Sequence, residues 1–144
     1  MKKGFTLIEL MIVMAVIAIL IGIALPRIKG MQDEGNVAKA KGELRALQTA
    51  VTSYYIHHNN TYPATSATIS VALLAASPKI IEAALYDPFG ATSTTEYNYI
   101  LNGQYFVIIS LGADRAADIT GISAAGVLAG DDDDDEYVTN GSGF

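Results

Sequence analysis

The chain has 144 residues, a mean hydropathy of +0.31 and a formal charge of −6, with no cysteine and no tryptophan. The acidic balance repels phosphate backbones and argues against nucleic-acid binding. Without cysteine there is no disulfide staple, no thiolate metal ligand and no c-type haem attachment.

At the N-terminus, Lys2, Lys3 and Gly4 precede a 21-residue apolar stretch, Phe5 to Leu25, whose only charged side chain is Glu9. As a helix it rises about 31 Å, the hydrocarbon thickness of a bilayer. A carboxylate in such a span costs roughly 2.5–3.5 kcal/mol at the bilayer centre, and less near an end, so it calls for a positive partner. If the chain is cut between Gly4 and Phe5, the new α-amino group of Phe5 on a neighbouring copy supplies one. That is assembly chemistry rather than catalysis. An ordinary signal peptide is the alternative reading: Lys2 and Lys3 would be its basic region, and Gly22-Ile23-Ala24 loosely mimics a cleavage site. Glu9 within the apolar core argues against it. Removal of residues 1–4 leaves seven basic and fifteen acidic side chains, a charge of −8. Arg27, Lys29, Lys39 and Lys41 follow the span, so charge bias alone does not orient it.

The run Gly4-Phe5-Thr6-Leu7-Ile8-Glu9 resembles the class III signal of type IV pilins and type II secretion pseudopilins. The resemblance implies cleavage by a prepilin peptidase after Gly4, N-methylation of Phe5, subunit docking guided by Glu9, and an orientation with residue 1 inside. Pro26 lacks the N–H that would bond the carbonyl of Gly22, itself a poor helix former, so a weak point is expected there. In assembled filaments of the family this segment is often unwound, which places Gly22 and Pro26 beside Phe5 and Glu9 as assembly residues.

Farther on, Val37, Ala40, Leu44, Leu47, Val51 and Tyr54 are spaced three or four apart, with Lys39, Lys41, Glu43 and Arg45 between them. This one-sided stripe predicts an amphipathic continuation of the helix packed on its own domain. The expected organisation is a leader at 1–4, a membrane and assembly helix at 5–25, its amphipathic continuation at 26–56 and a globular part at 57–144. His57-His58-Asn59-Asn60 ends the helix. The adjacent histidines point in different directions and have no i, i+4 partner, so they read as a solvated helix end rather than a metal site. Two short helical pieces are expected, Thr68 to Ala76 and Pro78 to Leu85, the second capped by Ser77. Asp87-Pro88-Phe89-Gly90 reads as a turn. Tyr97 to Leu101 and Gln104 to Leu111 flank Asn102-Gly103, the dipeptide best suited to a type I′ hairpin turn. Gly126 to Leu128 and Tyr137 to Thr139 suggest a further short strand. The implied fold class is α+β, a long N-terminal helical spine with a small antiparallel sheet, the type IV pilin fold.

The C-terminal region is rich in carboxylates, with Asp114, Asp118, Asp131 to Asp135 and Glu136 in Gly/Ala-rich sequence. Calcium takes six to eight oxygens from carboxylates and loop carbonyls, and a cysteine-free domain would gain from such a clip. Tyr62-Pro63, Asp87-Pro88-Phe89-Gly90 and Ser110-Leu111-Gly112-Ala113-Asp114 are similar in order to the major pseudopilins of type II secretion. There the Asp of Leu-Gly-Ala-Asp and a later Asp bind a structural Ca²⁺. Asp114 carries over directly; Asp133 and Asp135 are the later candidates by alternation, and Arg115 stands where a glycine is usual. The other reading of this stretch is a solvated acidic loop.

Functionally, the sequence implies a subunit that polymerises through its N-terminal helix, as a surface pilin or a periplasmic pseudopilin, and no enzyme: no nucleophile and base pair or phosphate loop is visible. Its partners would be its own copies, the prepilin peptidase, the inner-membrane assembly machinery and, before assembly, the membrane, with no nucleic acid. The location would be the inner membrane as precursor, then a periplasmic or extracellular filament. The alternative is a monomeric, membrane-anchored calcium-binding or adhesive module.

Overall fold

A computed structural model of the protein describes residues 4–66, 68–131 and 133–143. The leader residues Met1, Lys2 and Lys3 lie outside the described residues. The chain divides into two compact units, Met1–Gly35 and Asn36–Phe144.

Helix α1, Leu7–His57, begins in the first unit and is helical through Gly22 and Pro26, so the expected weak point is not a break in the single chain. From Phe5 to Met31 every large apolar side chain is exposed. Each would gain roughly 1.5–3 kcal/mol on full burial, so this stretch is built for lipid or for other chains. It is long and apolar enough to cross a bilayer.

In the second unit the stripe on α1 does what its spacing predicts. Ala40, Leu44, Leu47 and Val51 are buried, joined by Ala50, while Val37 and Tyr54 pack at the margin. They meet strands β1 (Asn98–Asn102), β2 (Tyr105–Ser110) and β5 (Glu136–Thr139), an antiparallel sheet in the order β1-β2-β5. Strand periodicity sorts β2 in two. Phe106 and Ile108 join the cluster on the helix. Val107 and Ile109 turn the other way, onto Ile119, Ile122 and Leu128 of a second small sheet, β3 (Ile119–Ile122) with β4 (Leu128–Gly130). Tyr97 and Tyr99 are fully buried against the helix. Their hydroxyls donate to Glu43 Oε2 at 2.6 Å and to the carbonyl of Pro63 at 3.1 Å. Burial first, and for Tyr97 the carboxylate of Glu43, push both phenols well above their ordinary range.

Several local expectations are corrected. The hairpin register pairs Asn102 with Tyr105, so the turn residues are Gly103 and Gln104 rather than Asn102 and Gly103. Gly103 takes φ 63° and Gln104 no positive φ, the pattern of a II′ turn with glycine first, not I′. Asn102 instead donates its side-chain amide to the carbonyl of Ile122 at 2.9 Å. The first helical piece is only Ile69–Leu74, labelled α2, and Pro78 to Leu85 forms no helix. Tertiary bonds take the groups that a helix would need: Ile80 N–H goes to Leu73 O, and Leu85 exchanges both backbone groups with Ser70 Oγ. Strand β3 was not foreseen, and β4 lies two residues beyond the expected Gly126 to Leu128.

Candidate assembly terminus and metal-binding loop

The first site is the start of α1. Thr6 Oγ1 accepts from Glu9 N–H at 3.3 Å, while Glu9 Oε2 accepts from Thr6 N–H and Thr6 Oγ1, each at 2.8 Å. This is a capping box, readable as Thr-x-x-Glu ahead of an apolar run, and it gives Thr6 a role that the sequence reading missed. Only one carboxylate oxygen is used. Glu9 Oε1 has no hydrogen bond among the described residues, and the residue is exposed, as are Gly4 and Phe5.

The second site is built where two legs of chain meet. Ser110, the last residue of β2, pairs with Glu136, the first of β5. That register sets Leu111 to Asp114, leaving β2, alongside Asp134 and Asp135, entering β5. Carboxylate oxygens of Asp114, Asp118 and Asp134 lie within 4.8 Å of one another. Asp134 Oδ2 accepts from Asp114 N–H at 2.9 Å, and Asp114 Oδ1 from Ala116 N–H at 2.7 Å. Asp135 is 6% exposed, and its Oδ2 accepts from the N–H groups of Asp118 and Ile119 at 2.8 and 2.9 Å. Gly112, at φ 21°, permits the approach: a Cβ there would stand 2.3 Å from Asp134 O and 2.5 Å from its Cγ.

Of the sequence candidates, Asp114 sits in the group and Asp135 beside it, whereas Asp133 is exposed and outside it. Asp118 and Asp134 take part instead. Alternation presumes an extended strand, but residues 133–134 form a bend that turns Asp134 inward. Asp118 could have been suspected from its carboxylate alone, without any spacing signal.

Three carboxylates so close are held together against their own repulsion. Burial, then the charges of Asp114, Asp135, Asp133 and Asp134, raise the Asp118 carboxyl above the usual range. Burial raises Asp135 too, partly offset by the N–H groups of Ile119 and Asp118. Asp134 Oδ1 and Asp135 Oδ1 are buried and find no hydrogen-bond donor among the described residues. Such orphaned oxygens are costly unless a cation meets them, and an all-oxygen donor set suits a hard divalent ion. The triad can thus gather on a metal.

The histidines are occupied by the helix end. His57 Nδ1 and His58 Nδ1 donate to the carbonyls of Ser53 and Tyr54 at 2.8 and 3.0 Å, and the His58 ring stacks on Tyr54 with centroids 3.8 Å apart.

Comparison with known proteins gives a consistent result. Residues 1–25 match the family described as the prokaryotic N-terminal methylation motif, and residues 27–127 match that of type II secretion system protein G. The chain is similar to the type II secretion system core protein G of Escherichia coli (strain K12), 26% identical over 138 residues, which cover 92% of this chain and 88% of the relative. The Pectobacterium carotovorum subsp. carotovorum protein of the same name is 29% identical over 125 residues, 78% of this chain and 77% of the relative. A fimbrial protein of Neisseria meningitidis serogroup A is 39% identical over 72 residues, 50% of this chain and 42% of the relative. No solved structure matches the chain significantly.

Proposed function

We propose, from the premise that this chain belongs to the type II secretion system protein G family and is therefore a filament-forming, pilin-like major pseudopilin, that it polymerises through docking of Glu9 onto the amino terminus of a neighbouring copy. The family is structural rather than enzymatic, and the prepilin motif implies peptidase processing and pseudopilus assembly. The carrying observation is a run of exposed apolar side chains from Phe5 to Met31, interrupted by one carboxylate whose Oε1 has no hydrogen bond among the described residues. Cleavage between Gly4 and Phe5 creates the cation, and N-methylation of Phe5 keeps it charged. Once the apolar faces leave lipid for one another, the water that screened Glu9 is gone, and only a paired carboxylate is tolerable. Gly22 and Pro26 are the place where the helix can give way during packing, because one backbone bond is missing there.

Before assembly the span holds the precursor in the inner membrane, and the filament then stands in the periplasm; partners are the prepilin peptidase, the inner-membrane assembly machinery and further copies of the chain. The N-terminal mass of the purified protein tests this. A methylated chain beginning at Phe5 is expected, and a chain beginning after Ala24 would sink it.

We further infer that the C-terminal loop holds calcium through Asp114, Asp118 and Asp134, with the free oxygen of Asp135 and loop carbonyls as additional donors. Bound there, the ion would neutralise the clustered charge and tie two remote loops together, in a domain that has no disulfide.

A further inference from the structure

We propose that Asp87 is the positioning residue of the metal loop, holding the backbone from which Asp114 reaches Asp118 and Asp134. The proposal rests on the calcium reading above. Asp87 is 4% exposed, more than 20 residues away in sequence, and not one of the three clustered carboxylates. Its Oδ1 accepts from Phe89 N–H at 3.0 Å and from Ser110 Oγ at 2.7 Å; its Oδ2 accepts from Leu111 N–H at 2.9 Å. No described cation pairs with it, so its charge is spread over three neutral donors, two of which belong to the root of the metal loop.

The geometry explains why that root needs holding. Ser110 is fully buried and is the last residue in register with β5. Beyond it the chain turns tightly, with Gly112 N–H to Ser110 O at 3.1 Å and Arg115 N–H to Gly112 O at 3.3 Å. Within that turn Gly112 passes so close to Asp134 that no side chain fits. A small rotation at Leu111 would therefore move Asp114 and displace Asp134 together. Asp87 is fixed on its own side, because Asp87 N–H donates to Thr95 O at 2.8 Å and Gly90 N–H donates to Asp87 O at 3.0 Å. The Asp87-Pro88-Phe89-Gly90 turn and the metal loop are in this way one hydrogen-bonded unit. Outer residues that orient ligands change metal affinity by about 10–100-fold when replaced.

Full-length protein in detergent, titrated with Ca²⁺ by calorimetry, tests the assignment. Asp87→Asn turns one of the two accepting oxygens into a donor, so either the Leu111 N–H or the Phe89 N–H loses its acceptor, and in the second case the Ser110 hydroxyl must reverse to accept. The expected result is calcium binding about 10–100-fold weaker than in the unaltered protein, with cooperative melting in EGTA retained. A residue that merely stabilised the fold would lower the melting temperature in EGTA and leave the dissociation constant alone. The second measurement needs no variant: adding Ca²⁺ to the unaltered protein is expected to slow amide exchange at Phe89 and Leu111 as well as at 112–119 and 133–135. An unchanged dissociation constant in folded Asp87→Asn protein overturns the proposal, as does exchange at Phe89 and Leu111 that ignores calcium. Should Asp87→Asn not fold, the exchange result alone decides. If the unaltered protein binds no Ca²⁺ and matches Asp114→Ala, the calcium reading itself fails and this proposal falls with it; binding that Asp114→Ala abolishes and Asp87→Asn leaves intact removes only the role of Asp87.

Discussion

From Phe5 to Met31 the large apolar side chains are all exposed, whereas in Asn36–Phe144 the stripe on α1 and five consecutive residues of β2 are buried. The first region leaves its hydrophobic surface for other molecules and has one carboxylate, Glu9, with no counter-ion among the described residues. The second buries most of its large apolar groups internally and, among the described residues, leaves two buried carboxylate oxygens without a hydrogen-bond partner. Each region thus has acidic oxygen that a cation would satisfy; in the readings proposed above, that cation is an amino terminus in one case and a metal in the other. The difference is where that cation must come from.

The sharpest way to break the contrast is at Glu9. Glu9→Ala is expected to leave membrane insertion intact, or improve it by removing a charge from the span, while abolishing filaments seen by electron microscopy. A monomeric anchored module would show no change. Glu9→Gln refines the result, because an amide still closes the capping box but cannot pair with an amine. Filament loss in both variants assigns the effect to charge rather than to helix initiation.

Calcium removal probes the second region. At a calcium concentration a hundredfold above the dissociation constant, binding contributes about 2.7 kcal/mol, on the order of ten degrees in Tm for a domain of this size. EGTA should remove that shift. Asp118 and Asp135 are held above the ordinary carboxylate range, so in EGTA the folded state binds their protons more tightly than the unfolded chain does. Their contribution is present below about pH 3.9 and lost as pH rises through the raised folded values. With calcium the trend reverses, because the ligands must be ionised. The Tm difference between the two conditions should therefore widen from pH 4 upward, and a constant difference would count against these carboxylates as ligands.

The smallest effect is expected at Arg115, which takes φ 65° in the tight turn beside the metal loop. A left-handed non-glycine residue costs roughly 1–2 kcal/mol, and glycine gives back part of this in chain entropy. Arg115→Gly should raise unfolding stability by about 0.5–1 kcal/mol in a urea titration.

The sequence was most legible where one local period decides the outcome. Val37 to Tyr54 could be read because a three-four spacing permits one buried face, and the β1 and β2 strands because two β-rich runs flank a glycine turn. The turn itself slipped by one residue, since pairing with β5 and the bond from Asn102 to Ile122 fix the register from outside the hairpin. Pro78 to Leu85 failed for a similar reason: its backbone partners, Leu73 and Ser70, lie outside the segment, in α2. At the metal loop, Asp114 was reachable through its motif. Asp134 was not, because five identical side chains in a row carry no phase, and only a bend at 133–134 selects which one turns inward; Asp118 stands alone in the sequence and carries no spacing signal.

Tyr97 and Tyr99 carry one last consequence, for alkaline solution. Both phenols lie in the core with folded values raised far above the unfolded value of about 10. Their stabilising contribution is intact below that pH and drains away above it, so base-driven opening of this domain should release two phenolic protons together with the fold. In a chain of eight tyrosines and no tryptophan, the last phenolate absorbance to rise, from these two rings, becomes an optical record of the moment the helix parts from the sheet.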